Sequence, residues 1–244
     1  MGDVEVLQVV LFDLDGTLLP MDHRKFMNEY LKELSLFVRP VIEPDAFKQA
    51  LMASTSAMAA NNSLVFTNEE VFWKDFENHL GERLPSIRPL LEMFYAEKFR
   101  QLSYVAHPCP EARILVKAAM ERNLRIALAT NPLFPLTAIQ SRMSWADVDD
   151  FPWNLITSYE VMHFCKPHPG YYREIAAHLG VRPEECLMVG NNVDEDLVAG
   201  TLGMKTYLVT DCLLGDPAGI CRADWHGSIQ RLAWLWENQG IPGE

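Results

Sequence analysis

Four short stretches of this 244-residue chain carry side chains that could do chemistry. Asp13-Leu14-Asp15-Gly16-Thr17 closes the apolar run from Val6 to Phe12, and Thr130-Asn131 closes the run from Leu124 to Ala129. Lys166-Pro167 stands in a loop before a helical pattern, and Gly190-Asn191-Asn192-Val193-Asp194-Glu195-Asp196 follows the run from Cys186 to Val189. Together they offer carboxylates, a hydroxyl, a cation and further carboxylates, the parts needed for nucleophilic attack, proton transfer and holding an anion. Taken singly, each also has a purely structural reading. Asp15-Gly16 is a turn signal, Thr130 or Asn131 could cap a helix that Pro132 would start, and Lys166 could be a solvated loop lysine. The acids after Gly190 could simply favour a helix N-terminus. Their joint order and placement carry the chemical reading.

That placement needs a scaffold. In an open parallel sheet, ligands bind beyond the carboxyl ends of the strands. The run 6–12 predicts a strand buried on both faces, as do 124–129, 186–189 and 204–209, with a weaker candidate at 154–157. Helical patterns at 110–122, 134–143, 168–179 and 193–202 lie between or after them, so strands and helices alternate and an α/β fold with helices on both faces of a parallel sheet is expected. Residues 20–105 behave differently, with helical segments near 22–37, 44–59, 68–80 and 87–103 and no convincing strand, which predicts an inserted helical subdomain. A last helix is expected at 228–239, carrying Leu232, Trp234, Leu235 and Trp236.

In their order the four stretches resemble the motifs of the haloacid dehalogenase-like (HAD) hydrolase superfamily, in the phosphatase branch with a helical cap that includes phosphoglycolate phosphatases and β-phosphoglucomutases. The resemblance covers residues 7–210. It implies a Rossmann-like three-layer core at 1–19 and 106–244 and a cap domain at 20–105. It further implies a Mg²⁺-dependent phosphohydrolase acting on a small phosphorylated metabolite. Asp13 would be the nucleophile that becomes an aspartyl phosphate, and Asp15 the acid and later the base. Thr17, Thr130, Asn131 and Lys166 would hold the phosphoryl group. Asp13, the backbone carbonyl of Asp15, and Asn191 or Asp196 would ligate the metal, with Asp194 a lesser candidate. One residue departs from the pattern: Asn191 stands where the family usually has a metal-binding aspartate. A sugar-phosphate mutase, or a phosphate- or metal-binding relative without turnover, would carry the same motifs. Asp15 argues against dehalogenation, because a leaving halide needs no proton.

Composition bounds the remaining possibilities. Thirty-three acids against 21 Lys and Arg leave a formal net charge of −12, which disfavours nucleic-acid and membrane partners. Hydrophobic residues make up 49% of the chain, enough for a packed core. Five cysteines without a CxxC pair suggest reduced thiols and a cytoplasmic protein, consistent with a first few residues lacking a basic signal-peptide start. His163, Cys165 and His168 match no compact zinc pattern. Met52 and Met58 are expected as helix packing and Arg83, Arg88 and Arg100 as surface residues, although one of these arginines could reach a substrate from the cap and His23, Arg24 and Lys25 are better placed to do so. Oligomeric state is left open.

Overall fold

The computed structural model describes residues 6–241, so readings of the chain's first five residues lie outside it. Six parallel strands form one sheet in the order β3-β2-β1-β4-β5-β6. They are β1 (Val9–Phe12), β2 (Arg125–Leu128), β3 (Leu155–Ile156), β4 (Cys186–Gly190), β5 (Lys205–Val209) and β6 (Trp225–Gly227). β1 is central and buried throughout because Val9 to Phe12 are apolar on both faces. Val10 and Phe12 join the core under α5 (Pro110–Glu121), α6 (Leu136–Trp145) and α8 (Ile229–Asn238), while Val9 and Leu11 join the one under α7 (Pro169–Leu179). The period of two along β1 therefore makes three layers.

Register brings the chemical residues together. Phe12 is level with Leu128 on one side and Val189 on the other. The Asp13 N–H donates to the Val189 carbonyl at 2.9 Å and the Ala129 N–H to the Phe12 carbonyl at 2.7 Å, so the three chains leave the sheet side by side. The strand order reverses between β1 and β4, which opens a crevice there, bordered by Asp13 and the loop after Gly190.

Between β1 and β2 the described chain is helical: α1 (His23–Val38), α2 (Pro44–Ala59), α3 (Asn68–Leu80) and α4 (Leu84–Met93). Local signals set these ends. The Glu43 side chain accepts the N–H groups of Asp45 and Ala46 before Pro44 starts α2, and Thr67 with Glu70 forms a reciprocal capping box for α3. The helix expected over 87–103 is broken after α4 into a π turn at Phe94–Lys98 and a 3₁₀ segment at Phe99–Val105. A π turn puts residues five apart on one side. Phe94 and Phe99 are both buried and reach the Tyr30 ring at 6.3 and 6.0 Å.

Two further differences have local causes. The helix expected over 193–202 is a loop followed by a 3₁₀ segment, Asp196–Leu202, because the Asp196 carboxylate binds the backbone of the preceding turn. β6 escaped notice because its three residues include exposed His226; it is tied in by Asp224, which accepts from the Thr206 N–H and hydroxyl at 2.9 Å each. Trp236 is fully buried against Phe12 at a ring distance of 5.9 Å, whereas Trp234 is exposed.

Candidate active site

The crevice is built on the turn after β1. Gly16 N–H donates to the Leu19 carbonyl at 2.8 Å and Thr17 N–H to the Leu14 carbonyl at 3.1 Å, which folds the chain back within one turn. Only glycine fits at 16: its φ is +87°, and a Cβ would stand 2.3 Å from Asn191 Nδ2. This close approach brings Thr17 Oγ1 to 3.0 Å from Asp13 Oδ2 and 3.2 Å from Asn191 Oδ1. One hydroxyl proton thus faces two acceptor oxygens, both buried.

Lys166 enters from the other side. Its ammonium, almost wholly buried, donates to Asp13 Oδ1 at 2.9 Å and to Asp196 Oδ1 at 2.6 Å. Burial alone would push this lysine toward neutrality, but the two carboxylates hold its pKa well above the usual range. Asp196 has no oxygen to spare, since Oδ2 accepts the N–H groups of Asn191 and Asn192 at 2.9 Å each. Gly190 makes room for it, because a Cβ there would lie 2.2 Å from Asp196 Oδ2. Asn131 likewise points at the backbone: Oδ1 accepts the Lys166 N–H at 3.2 Å, and Nδ2 donates to the Lys166 carbonyl at 3.4 Å and Glu195 Oε2 at 3.3 Å. Its side chain positions the lysine. Thr130 is buried beside it, its carbonyl accepting from Thr157 Oγ1 at 2.7 Å and Tyr171 Oη at 2.9 Å. Asp194 is turned out to solvent, 3.7 Å from Arg222.

The sequence reading missed one residue. Arg142 of α6 is 1% exposed and pairs through Nη1 with Asp15 Oδ2. Its guanidinium lies 4.5 Å from the centre of the Phe134 ring. Among the described residues, Asp15 Oδ1 and Arg142 Nη2 are buried without a hydrogen-bond partner. A signal was available: Arg142 shares a helix face with buried Ala138, Ile139 and Met143, where an arginine needs a partner.

A haloacid dehalogenase-like hydrolase family model matches residues 7–201, a span that includes Asp13, Thr17, Arg142, Lys166 and Asp196. The chain belongs to that family. It is 25% identical over 221 residues to pyrophosphatase PpaX of Bacillus cereus strain AH820, covering 86% of each chain. It is 26% identical over 125 residues to hexitol phosphatase B of Escherichia coli K12, covering 51% of this chain and 55% of that one. Among solved structures, a HAD phosphatase from Thermococcus onnurineus superposes with a TM-score of 0.59 at 18% identity, over 96% of this chain and all of the other. This HAD-like hydrolase therefore shares the fold of that structure across nearly its whole length.

Charge at the centre is unbalanced in a way that bears on a metal. Asp13, Asp15 and Asp196 face Lys166 and Arg142, leaving one negative charge in excess. Burial raises the Asp13 pKa to about 7, with Lys166 opposing the rise and Asp196 adding to it. The oxygens left near Asp13 are carboxylate and carbonyl, with no thiolate or imidazole, so the donor set fits a hydrated hard cation such as Mg²⁺. No group of three or more His, Cys, Asp or Glu with metal-binding geometry exists among the described residues.

Asp13 also sets a pH dependence in chelator. Its folded pKa of about 7 lies above the ordinary aspartate value of 3.8, so between them the native state binds more protons than the unfolded one. The stabilisation is fully present below 3.8 and is lost as pH rises through about 7. Thermal midpoints measured in chelator should fall across that window, and the fall should be shallower in Asp13→Asn. An unchanged slope in the variant would assign it to another group.

Proposed function

We propose that this hydrolase removes phosphate from a small phosphorylated metabolite through an aspartyl phosphate at Asp13, with Mg²⁺ as cofactor. The observation that carries the reading is the buried Asp13 carboxylate, held by Lys166 at 2.9 Å and Thr17 at 3.0 Å where the strand order reverses. An Asp13 oxygen attacks phosphorus as the bond to the leaving oxygen breaks. Thr17, Thr130 and Lys166 hold the phosphoryl oxygens, Lys166 also orienting the nucleophile. Asp15 donates a proton to the leaving oxygen, then takes one from the water that attacks phosphorus and frees Asp13. Asp13, the Asp15 carbonyl and Asn191 Oδ1 would hold the metal, while Asp196 keeps Lys166 and the 191–192 turn in place. Bound there, Mg²⁺ would neutralise the phosphoryl group and polarise it toward attack.

Segment 20–105 serves in this reading as a cap that excludes bulk water over the crevice. The relatives whose names specify a pyrophosphatase and a hexitol phosphatase support phosphoryl chemistry, since both act on phosphate-bearing substrates. The test is phosphate release from a generic aryl phosphate with Mg²⁺ and with chelator, together with hydroxylamine cleavage mapped by mass spectrometry. A hydroxamate mapped to any residue other than Asp13 would overturn the assignment.

Asn191 supplies a second test. Asn191→Asp adds a carboxylate beside Asp13 and Thr17, so the variant should be less stable than the parent in chelator. It should bind Mg²⁺ on the order of tenfold more tightly by calorimetry, since another charged oxygen strengthens a hard-cation site. Equal affinity would remove Asn191 from the metal shell.

A further inference from the structure

Beside the crevice, between the helical segment and the sheet-bearing part of the chain, lies a cavity of about 410 Å³. Its floor is the β2–α6 loop, Leu133 to Pro135, two residues beyond Asn131. Phe134 separates it from Arg142, whose guanidinium holds Asp15. His23 borders it as well and acts electrostatically on Glu195, beside Asn131. Two side chains, Phe134 and Arg142, thus link the cavity wall to Asp15, the group that would protonate a leaving oxygen.

Its walls are aromatic: Tyr30, Phe72, Trp73, Tyr95, Phe134 and Tyr159. Much of their hydrogen-bonding capacity is already used. The Tyr30 and Tyr95 hydroxyls bond to each other at 2.6 Å, Trp73 Nε1 donates to Glu69 at 3.3 Å, and the Glu160 carboxylate accepts the Leu136 N–H at 2.9 Å. A polyol placed here would set most of its hydroxyls against ring faces, with Thr55, Thr137 and the bordering glutamates as its polar partners. Charge selects too. Glu69, Glu92 and Glu160 border the space against Arg88, which stacks on Trp73 at 4.6 Å and lies 3.5 Å from Glu92. A second anionic group would meet an excess of carboxylates. Met52, expected as packing, is half-exposed and lines the same space.

We propose that this cavity receives the alcohol half of the substrate, and that the alcohol is bulky, apolar and free of a second negative charge. The proposal rests on the phosphohydrolase reading and narrows it. It excludes glycolate, hexitol and pyrophosphate halves as preferred occupants. The size of the cavity also exceeds what a two-carbon acid would fill.

The experiment compares kcat/KM for benzyl and 2-phenylethyl phosphates with glycerol 1-phosphate, phosphoglycolate and pyrophosphate, in the wild-type chain with Mg²⁺. Alkyl rather than aryl esters keep leaving-group reactivity comparable. The phenylalkyl esters should lead glycerol 1-phosphate by on the order of a hundredfold. Met52→Glu, which puts a charge into the cavity away from the reacting groups, should remove most of that lead, and through KM rather than kcat. Glycerol 1-phosphate, phosphoglycolate or pyrophosphate turned over as well as the phenylalkyl esters would overturn the proposal. Should no ester be turned over, the phosphohydrolase reading fails by itself, and calorimetry with 2-phenylethylphosphonate decides the cavity. Binding weakened by Met52→Glu supports the proposal, and no binding, or binding indifferent to Met52→Glu, overturns it.

Discussion

Asp13→Asn is expected to abolish phosphate release while leaving the protein folded and, above neutral pH, more stable. The loss should be on the order of ten-thousandfold or more, because an amide cannot supply the attacking oxygen and nothing else in the crevice can replace it. Stability goes the other way. An ionised Asp13 is held in a buried site that raises its pKa to about 7, so keeping it charged at pH 8 costs of the order of a few kcal/mol. The amide removes that cost, and Lys166 is not stranded because Asp196 Oδ1 remains 2.6 Å from its ammonium. Coupled phosphate-release assays and thermal denaturation in chelator measure both effects on one preparation. A variant retaining more than about 1% of activity would mean that another group attacks phosphorus, while a lower melting point would mean that Asp13 stabilises the fold.

The contrast between those two effects explains which parts of the site could be read in advance. The convergence of Asp13, Thr17 and Lys166 on one crevice was legible because strand ends and turn residues are local features, and parallel register does the rest. The limits of α2 and α3 were legible for the same reason, as Glu43 with Pro44 and Thr67 with Glu70 lie next to the helices they start. What was not legible depends on partners distant in sequence. Asp196 resembled a free metal ligand until Lys166, 30 residues earlier, took one of its oxygens. Asn131 resembled a phosphate ligand until both ends of its amide met the Lys166 backbone. The π turn after α4 follows from ring packing against Tyr30, 64 residues before Phe94, and no local propensity announces it. The aromatic cavity is likewise assembled from α1, α2, α3, α4 and the β2–α6 loop, so no single segment displays it.

Arg142 is the strongest example of such a distant partner, and its removal should cost both stability and turnover. Replacing it by methionine leaves Asp15 16% exposed with neither oxygen paired, and loses the guanidinium stacked at 4.5 Å on Phe134. Breaking a buried ion pair by deleting one partner costs roughly 3–5 kcal/mol, most of it the penalty of the charge left behind. Asp15→Asn should cost less, because its amide oxygen can still accept from Arg142. The double variant should be more stable than the sum of the two losses predicts, since neither partner is then left as an unpaired ion. Turnover adds a second constraint. Arg142 fixes the Asp15 carboxylate through Oδ2, so Arg142→Met should lower kcat by about 10²–10⁴ with a smaller change in KM, as expected when a general acid is misplaced. Arg142→Lys keeps the charge but not the planar fork and should fall between the two in both measurements. Denaturant unfolding of the parent and the four variants, with kcat measured on each, separates the contributions. An Arg142→Met variant within 1 kcal/mol of the parent and fully active would show that the pair neither supports the fold nor positions Asp15.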